Sequence, residues 1–157
     1  MQGLGSELTS FLFKLLHNLL VTQDRLSKIN QDTSSACKAA GCSGDIAEDH
    51  LHVFSLCPGL NGIGYIYLEA VREFIPDITM EKALLLQFEV DPNMELALVS
   101  YFAVIWNNIW KARSDGKNPK LKLIKIDLES HIRQLKQAKC YVNDVLYLEL
   151  LLSSLVE

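Results

Sequence analysis

Glycine and proline are scarce, 8 and 4 in 157 residues, which excludes collagen-like, linker-rich and low-complexity chains. Long apolar runs are missing as well. The two longest, residues 11–20 and 145–152, are interrupted by Lys14, His17, Asn18 and Glu149. Neither approaches the roughly 18 uninterrupted apolar residues of a membrane span. Residues 1–7 carry no basic n-region, so no secretory signal and no membrane partner are expected. No segment alternates apolar and polar side chains with period two, which removes the β classes. The signatures of common enzymes are missing too. There is no Gly-x-Ser-x-Gly elbow, no glycine loop for phosphate and no His-Glu-x-x-His helix. The expectation is a soluble, intracellular, non-catalytic protein.

Apolar residues make up 49% of the chain, enough to bury a core at this length, and their spacing is helical. Leu8, Phe11, Leu12, Leu15, Leu16, Leu19 and Leu20 form one stripe, predicting a helix over about 7–20 with Ser6 as its N-cap. Thr22 offers a cap to a short helix holding Leu26 and Ile29, and residues 30–35 read as a turn. Helices are expected over 60–75, ended by Pro76, and over 80–88, capped by Thr79. Asp91-Pro92 pairs a capping carboxylate with proline at the first helical position. The helix it opens, to about Arg113, is apolar on most sides and is the expected core helix. Residues 114–119 are the clearest loop. A last helical stretch runs from 121 to about 155 and is expected to bend near 140–143. No internal repeat is visible. The predicted fold is all-α: a single helical domain over 1–157 with a small zinc knuckle at 37–58. A basic, then apolar, helical region follows at 119–156.

The knuckle rests on composition at short range. Three of the four cysteines fall within residues 37–57 together with His50 and His52. Cys37, Cys42, His52 and Cys57 give Cys-x4-Cys-x9-His-x4-Cys, two close pairs that can close a tetrahedron around zinc. Ala39-Ala40-Gly41 allows a tight curl, Gly44 can end it, and Asp45 with Glu48 resembles a capping box opening a turn that presents His52. His50 is the alternative imidazole. Two helical residues apart point about 200° from each other, so one of the two histidines faces elsewhere. The His-x4-Cys spacing favours His52. A disulfide pair or buried structural cysteines are the competing readings of these thiols, and Cys140 stands apart as a core or surface thiol. A closed four-ligand site leaves no position for an activated water, so the metal is expected to be structural.

Net charge is −4 but unevenly spread. Residues 1–110 hold six basic against thirteen acidic groups, whereas residues 111–139 hold nine basic against three acidic. Lys117, Lys120, Lys122, Lys125, Arg133 and Lys136 make the second segment a candidate contact for RNA or DNA. The competing reading is a solvated helix face. Trp106 and Trp110 are expected in the core rather than as stacking platforms. Leu146, Leu148, Leu150, Leu151, Leu152, Leu155 and Val156 make the end of the chain apolar on more than one face. That helix must be buried in its own core, in a second copy or in another protein.

Three segments together resemble a known family. Residues 13–26, from Phe13-Lys14-Leu15 to Thr22-Gln23-Asp24-Arg25-Leu26, are similar to the "F…L…LPT-x-x-RL" segment of non-LTR retrotransposon reverse transcriptases, which precedes their C-terminal zinc-binding domain. Cys37 and Cys42, followed by Glu48-Asp49-His50-Leu51-His52-Val53-Phe54-Ser55-Leu56-Cys57-Pro58, resemble its "C-x2-C…E-D/T-x-x-H-x-F-x-x-C-P" pattern. Ile105-Trp106-Asn107-Asn108-Ile109-Trp110-Lys111-Ala112-Arg113 is similar to the "W…IW-x-x-R" helix downstream. Two departures are visible: the first pair is Cys-x4-Cys, and Val21 stands where the pattern has proline. The resemblance implies a non-catalytic accessory domain with His52 and Cys57 among the ligands and contact with element RNA or target DNA. The polymerase signature Tyr-x-Asp-Asp is not in the chain.

Overall fold

Side-chain caps open some of the helices, and left-handed residues follow the ends of others. The computed structural model describes residues 4–39, 41–138 and 142–155. In chain order the α-helices are α1 Ser6–Leu16, α2 Gln23–Ile29, α3 Ile63–Arg72, α4 Met80–Leu84, α5 Pro92–Ser114, α6 Leu121–Gln137 and α7 Val142–Ser153. A π turn, His52–Leu56, and a 3-10 turn, Pro58–Leu60, lie between α2 and α3. Strand pairing among the described residues is one isolated antiparallel bridge, Ala36 with Ala47. The fold is all-α, as the periodicity predicts.

Three caps act as read. Thr22 accepts from the Arg25 N–H (3.3 Å), Thr79 from Lys82 (3.2 Å), and Asp91 from both Asn93 and Met94 (3.1 and 3.2 Å). Ser6 instead is the first helical residue, and the cap, Gly5, contributes no side-chain bond.

The predicted lengths overrun. α1 stops at Leu16 rather than about Leu20 because Asn18 takes a left-handed φ of 53°. The Leu19 N–H then reaches the Lys14 carbonyl (2.6 Å) and Asn18 reaches Leu15 (3.1 Å), a Schellman closure. Leu86 does the same after α4 (φ 53°), with Gln87 N–H on the Lys82 carbonyl (2.9 Å). α3 begins at Ile63, not 60, because the 3-10 turn and a left-handed Gly62 (φ 74°) come first.

α5 is the axis. From Tyr101 through Asn107 every residue is buried, so it packs on all sides, against α1, α6, α7 and the π turn. An aromatic chain runs through it. Phe88 stacks on Phe102 (5.8 Å), Phe102 on Trp106 (5.3 Å), and Trp106 meets Phe54 of the π turn (5.7 Å). Trp106 is fully buried and Trp110 half-buried, the core roles expected of them. The C-terminal stretch is two helices, α6 and α7, and Cys140 between them lies outside the described residues. α7 turns Val145, Leu148 and Leu151 into this same core, and Leu155, just past its end, joins them. Among the described residues, no helix is long and apolar enough to cross a membrane.

Candidate metal centre

Two short segments bring the ligands together. The first is a loop pinned at its base by the Ala36–Ala47 bridge, where the Cys37 N–H donates to the Ile46 carbonyl and Glu48 N–H to Ser35 (both 2.9 Å). Between these pins the chain must curl twice. Gly41 and Gly44 supply the left-handed φ values this needs, 85° and 78°. The Cys42 N–H closes the first curl on the Ala39 carbonyl (3.1 Å).

The second segment is the π turn. Along an α-helix, five residues rotate by about 500° and leave their ends roughly 140° apart. An α-helix would therefore aim His52 and Cys57 in different directions. The wider turn instead joins them through one bond, Cys57 N–H to the His52 carbonyl (2.9 Å). Asp49 starts this turn by accepting from the His52 N–H (2.7 Å). The predicted capping box of Asp45 and Glu48 is not formed, because Asp49 holds the capping place and Glu48 is committed elsewhere.

The four ligand atoms of Cys37, Cys42, His52 and Cys57 lie within 4.8 Å of one another and can hold a metal ion. Cys37 Sγ is 3.8 Å from Cys57 Sγ, and Cys42 Sγ is 3.6 Å from His52 Nε2. All three thiols are free, with no disulfide among the described residues. The Ala39 N–H donates to Cys37 Sγ (3.4 Å), support that a thiolate ligand gains most from. Burial, with the Cys57 thiol beside it, pushes the Cys37 thiol up to about 12, and burial raises Cys57 as well. A cation in their midst would reverse that, since metal-bound cysteine is deprotonated. His50 is outside the group. Its ring faces Phe54 (6.5 Å), its Nε2 is buried without a partner, and burial lowers its pKa.

Glu48 is 1% exposed and ties the centre to the core. Its Oε1 accepts from the Gln23 N–H (3.0 Å) and pairs with the Arg113 guanidinium from the end of α5, while its carbonyl accepts from Asp24 (3.2 Å). Together with Thr22 it satisfies the opening N–H groups of α2. Arg113 also lies over the Trp110 ring (5.0 Å). This pair was not legible in the sequence, where Glu48 reads as a cap and Arg113 as one of the basic block. The available signal was that both sit inside the segments carrying the family resemblance.

The basic residues occupy different settings. Lys117 is exposed in the α5–α6 loop, 3.7 Å from Asp115, and Lys120 precedes α6. At about 100° per residue, Lys122, Lys125, Arg133 and Lys136 share an arc of about 80° on α6, bordering the buried face of Ile124, Leu128, His131, Ile132 and Leu135, with Ile132 about 20° from Lys125. Glu129 falls inside that arc, and Lys136 pairs with Glu149 of α7 (2.5 Å). Compared with known families, curated proteins and solved structures, the chain finds no match in any of the three.

Proposed function

We propose that this chain is a non-catalytic, zinc-stapled helical module that engages RNA or DNA, like the accessory domain of retroelement reverse transcriptases it resembles. The observation that carries the zinc assignment is the pair of ligand separations. With Zn–S near 2.3 Å and Zn–N near 2.0–2.1 Å, a regular tetrahedron has S–S edges of about 3.8 Å and S–N edges of about 3.6 Å. Two of the six separations, 3.8 and 3.6 Å, match these edges, and all six lie within 4.8 Å. Three cysteines and a histidine complete the coordination, so the metal would serve as a staple rather than as a Lewis acid. Zinc elemental analysis should return one ion per chain, and Cys57→Ser should lose it. A ratio near zero with normal folding of the variant would overturn the assignment.

The nucleic-acid part rests on the shared arc of Lys122, Lys125, Arg133 and Lys136, with Lys117 and Lys120 leading into it. Each phosphate neutralised steepens log affinity against log salt by roughly 0.7–0.9, so four contacts give a slope of about −3 to −4. Anisotropy with a labelled oligonucleotide should show this, and Gln at all four positions should flatten it without changing zinc content. No binding at low salt would end this reading. A second reading then takes its place: Leu146 and Leu150, exposed one turn apart on α7, as the contact of a homo-oligomer or protein partner. Light scattering on the free chain reads that directly.

A further inference from the structure

The four ligands of the metal centre are unequally protected. Cys37, His52 and Cys57 are buried, and Cys42 alone is half-buried. It sits on the curl between Gly41 and Gly44, where every residue from 41 to 47 is half-buried or exposed. The other three are anchored. Cys37 is tied by its N–H to the Ile46 carbonyl, and His52 and Cys57 belong to the turn that packs Phe54 against Trp106. The thiols are also close together, all within 4.8 Å, with Cys37 Sγ 3.8 Å from Cys57 Sγ. The closeness serves the metal, whereas the unequal burial decides where a reagent from solvent arrives first. An accessible cysteine with a second thiol in reach is the arrangement of a redox-sensing residue and its resolving partner.

We propose that the centre is a peroxide-sensitive switch: oxidation begins at Cys42, ends in a disulfide to Cys37 or Cys57, and releases the metal. This regulation belongs to the zinc centre and rests on that reading. Metal coordination keeps a cysteine as the thiolate, its nucleophilic form. The Cys42 thiolate attacks one oxygen of hydrogen peroxide. The O–O bond breaks, hydroxide leaves and Cys42 becomes a sulfenic acid. A neighbouring thiolate, Cys37 or Cys57, then attacks that sulfur. An S–S bond forms, the S–O bond breaks and a second hydroxide leaves. The two sulfurs give up two electrons, peroxide accepts them, and two protons from solvent turn both hydroxides into water. Bonding brings the sulfurs from within 4.8 Å to about 2.05 Å, a movement that falls to the exposed curl rather than to the packed turn. One thiolate and His52 remain, half the donors of the closed site.

The test treats the zinc-loaded full chain with hydrogen peroxide at pH 7, in the presence of a chromogenic zinc chelator too weak to strip the untreated protein. Zinc should be released as the thiol count falls by two of the four cysteines. Release should run about tenfold faster than oxidation of a free cysteine peptide, of which only about 3% is thiolate at that pH. A cyclic dione that traps sulfenic acids should label Cys42. Peptide mapping should find Cys42 joined to Cys37 or Cys57, and dithiothreitol with added zinc should restore full loading. Release no faster than the free peptide would overturn the switch. So would a disulfide that leaves Cys42 reduced, or an oxidation that dithiothreitol does not reverse. A chain that never takes up zinc fails the metal reading before peroxide is added. A chain that keeps its zinc through peroxide fails the switch alone.

Discussion

Gly64 is where packing leaves least room. A Cβ at this position would lie 2.3 Å from the Phe54 carbonyl oxygen, so α3 approaches the π turn only because no side chain intervenes. Gly64→Ala should cost about 1–3 kcal/mol by overpacking. It should also weaken metal binding, because Phe54 lies between His52 and Cys57. Urea midpoints and metal competition read the two effects, and an unchanged midpoint would show the turn yields freely. The histidines separate as cleanly. His52→Ala should abolish metal binding, and His50→Ala should retain it; the reverse would transfer the ligand role to His50. His131, buried in α6 with Nε2 unpartnered, has its pKa lowered by burial. Its folded pKa lies below the unfolded value near 6.5. Its neutral form therefore supports the fold above about pH 6.5, and that support is lost as pH falls, when the unfolded chain takes up the proton more readily. His131→Leu should narrow the gap between urea midpoints at pH 7.5 and 5.5, measured at equal zinc load. An unchanged gap would place the acid sensitivity elsewhere.

Among the elements, α7 shows how far sequence periodicity carries and where it stops. A helix apolar on more than one face had to be covered, and the core covers one face: Val145, Leu148 and Leu151 are buried while Leu146 and Leu150 are exposed. Leu148→Ala should therefore cost about 2–5 kcal/mol. Leu146→Gln should change stability by no more than about 0.5 kcal/mol. Similar losses from both, in a concentration-dependent unfolding assay, would mean the outer face is also covered, by a second copy. The helix ends teach a related lesson. Apolar spacing continues through Leu19 and Leu20, yet α1 ends at Leu16, because one left-handed asparagine redirects the chain so that Leu20 enters the core from a turn.

For the molecule as a whole, the metal centre and the aromatic core form one unit. Phe54 lies in the ligand-bearing turn and packs on Trp106, and Glu48 joins the same region to Arg113 of α5. If zinc occupies the centre as proposed, removing it should therefore unsettle the core as well as the loop. Chelation should lower the melting temperature and shift tryptophan emission to the red, and returning zinc should restore both. Uptake should release protons, since Cys37 and Cys57 hold theirs tightly without a cation. Chelation that strips the metal but leaves melting and emission unchanged would show the centre to be peripheral.

What the sequence determined by itself is the part carried by local free energies. Caps at Thr22, Thr79 and Asp91, the apolar stripe of α1, the buried run of α5 and the ligand spacing each act within a few residues. Those features were therefore legible. The choice of His52 over His50 was half legible: helix geometry required the two to diverge, and the spacing favoured one. Tertiary structure decided the rest. The π winding that aims His52 and Cys57 together, the end of α1 and the face of α7 that meets the core all depend on what packs alongside. So does the pairing of Glu48 with Arg113, 65 residues away. A buried carboxylate is tolerable only where a cation and N–H donors already converge, and that convergence exists only after the helices have assembled.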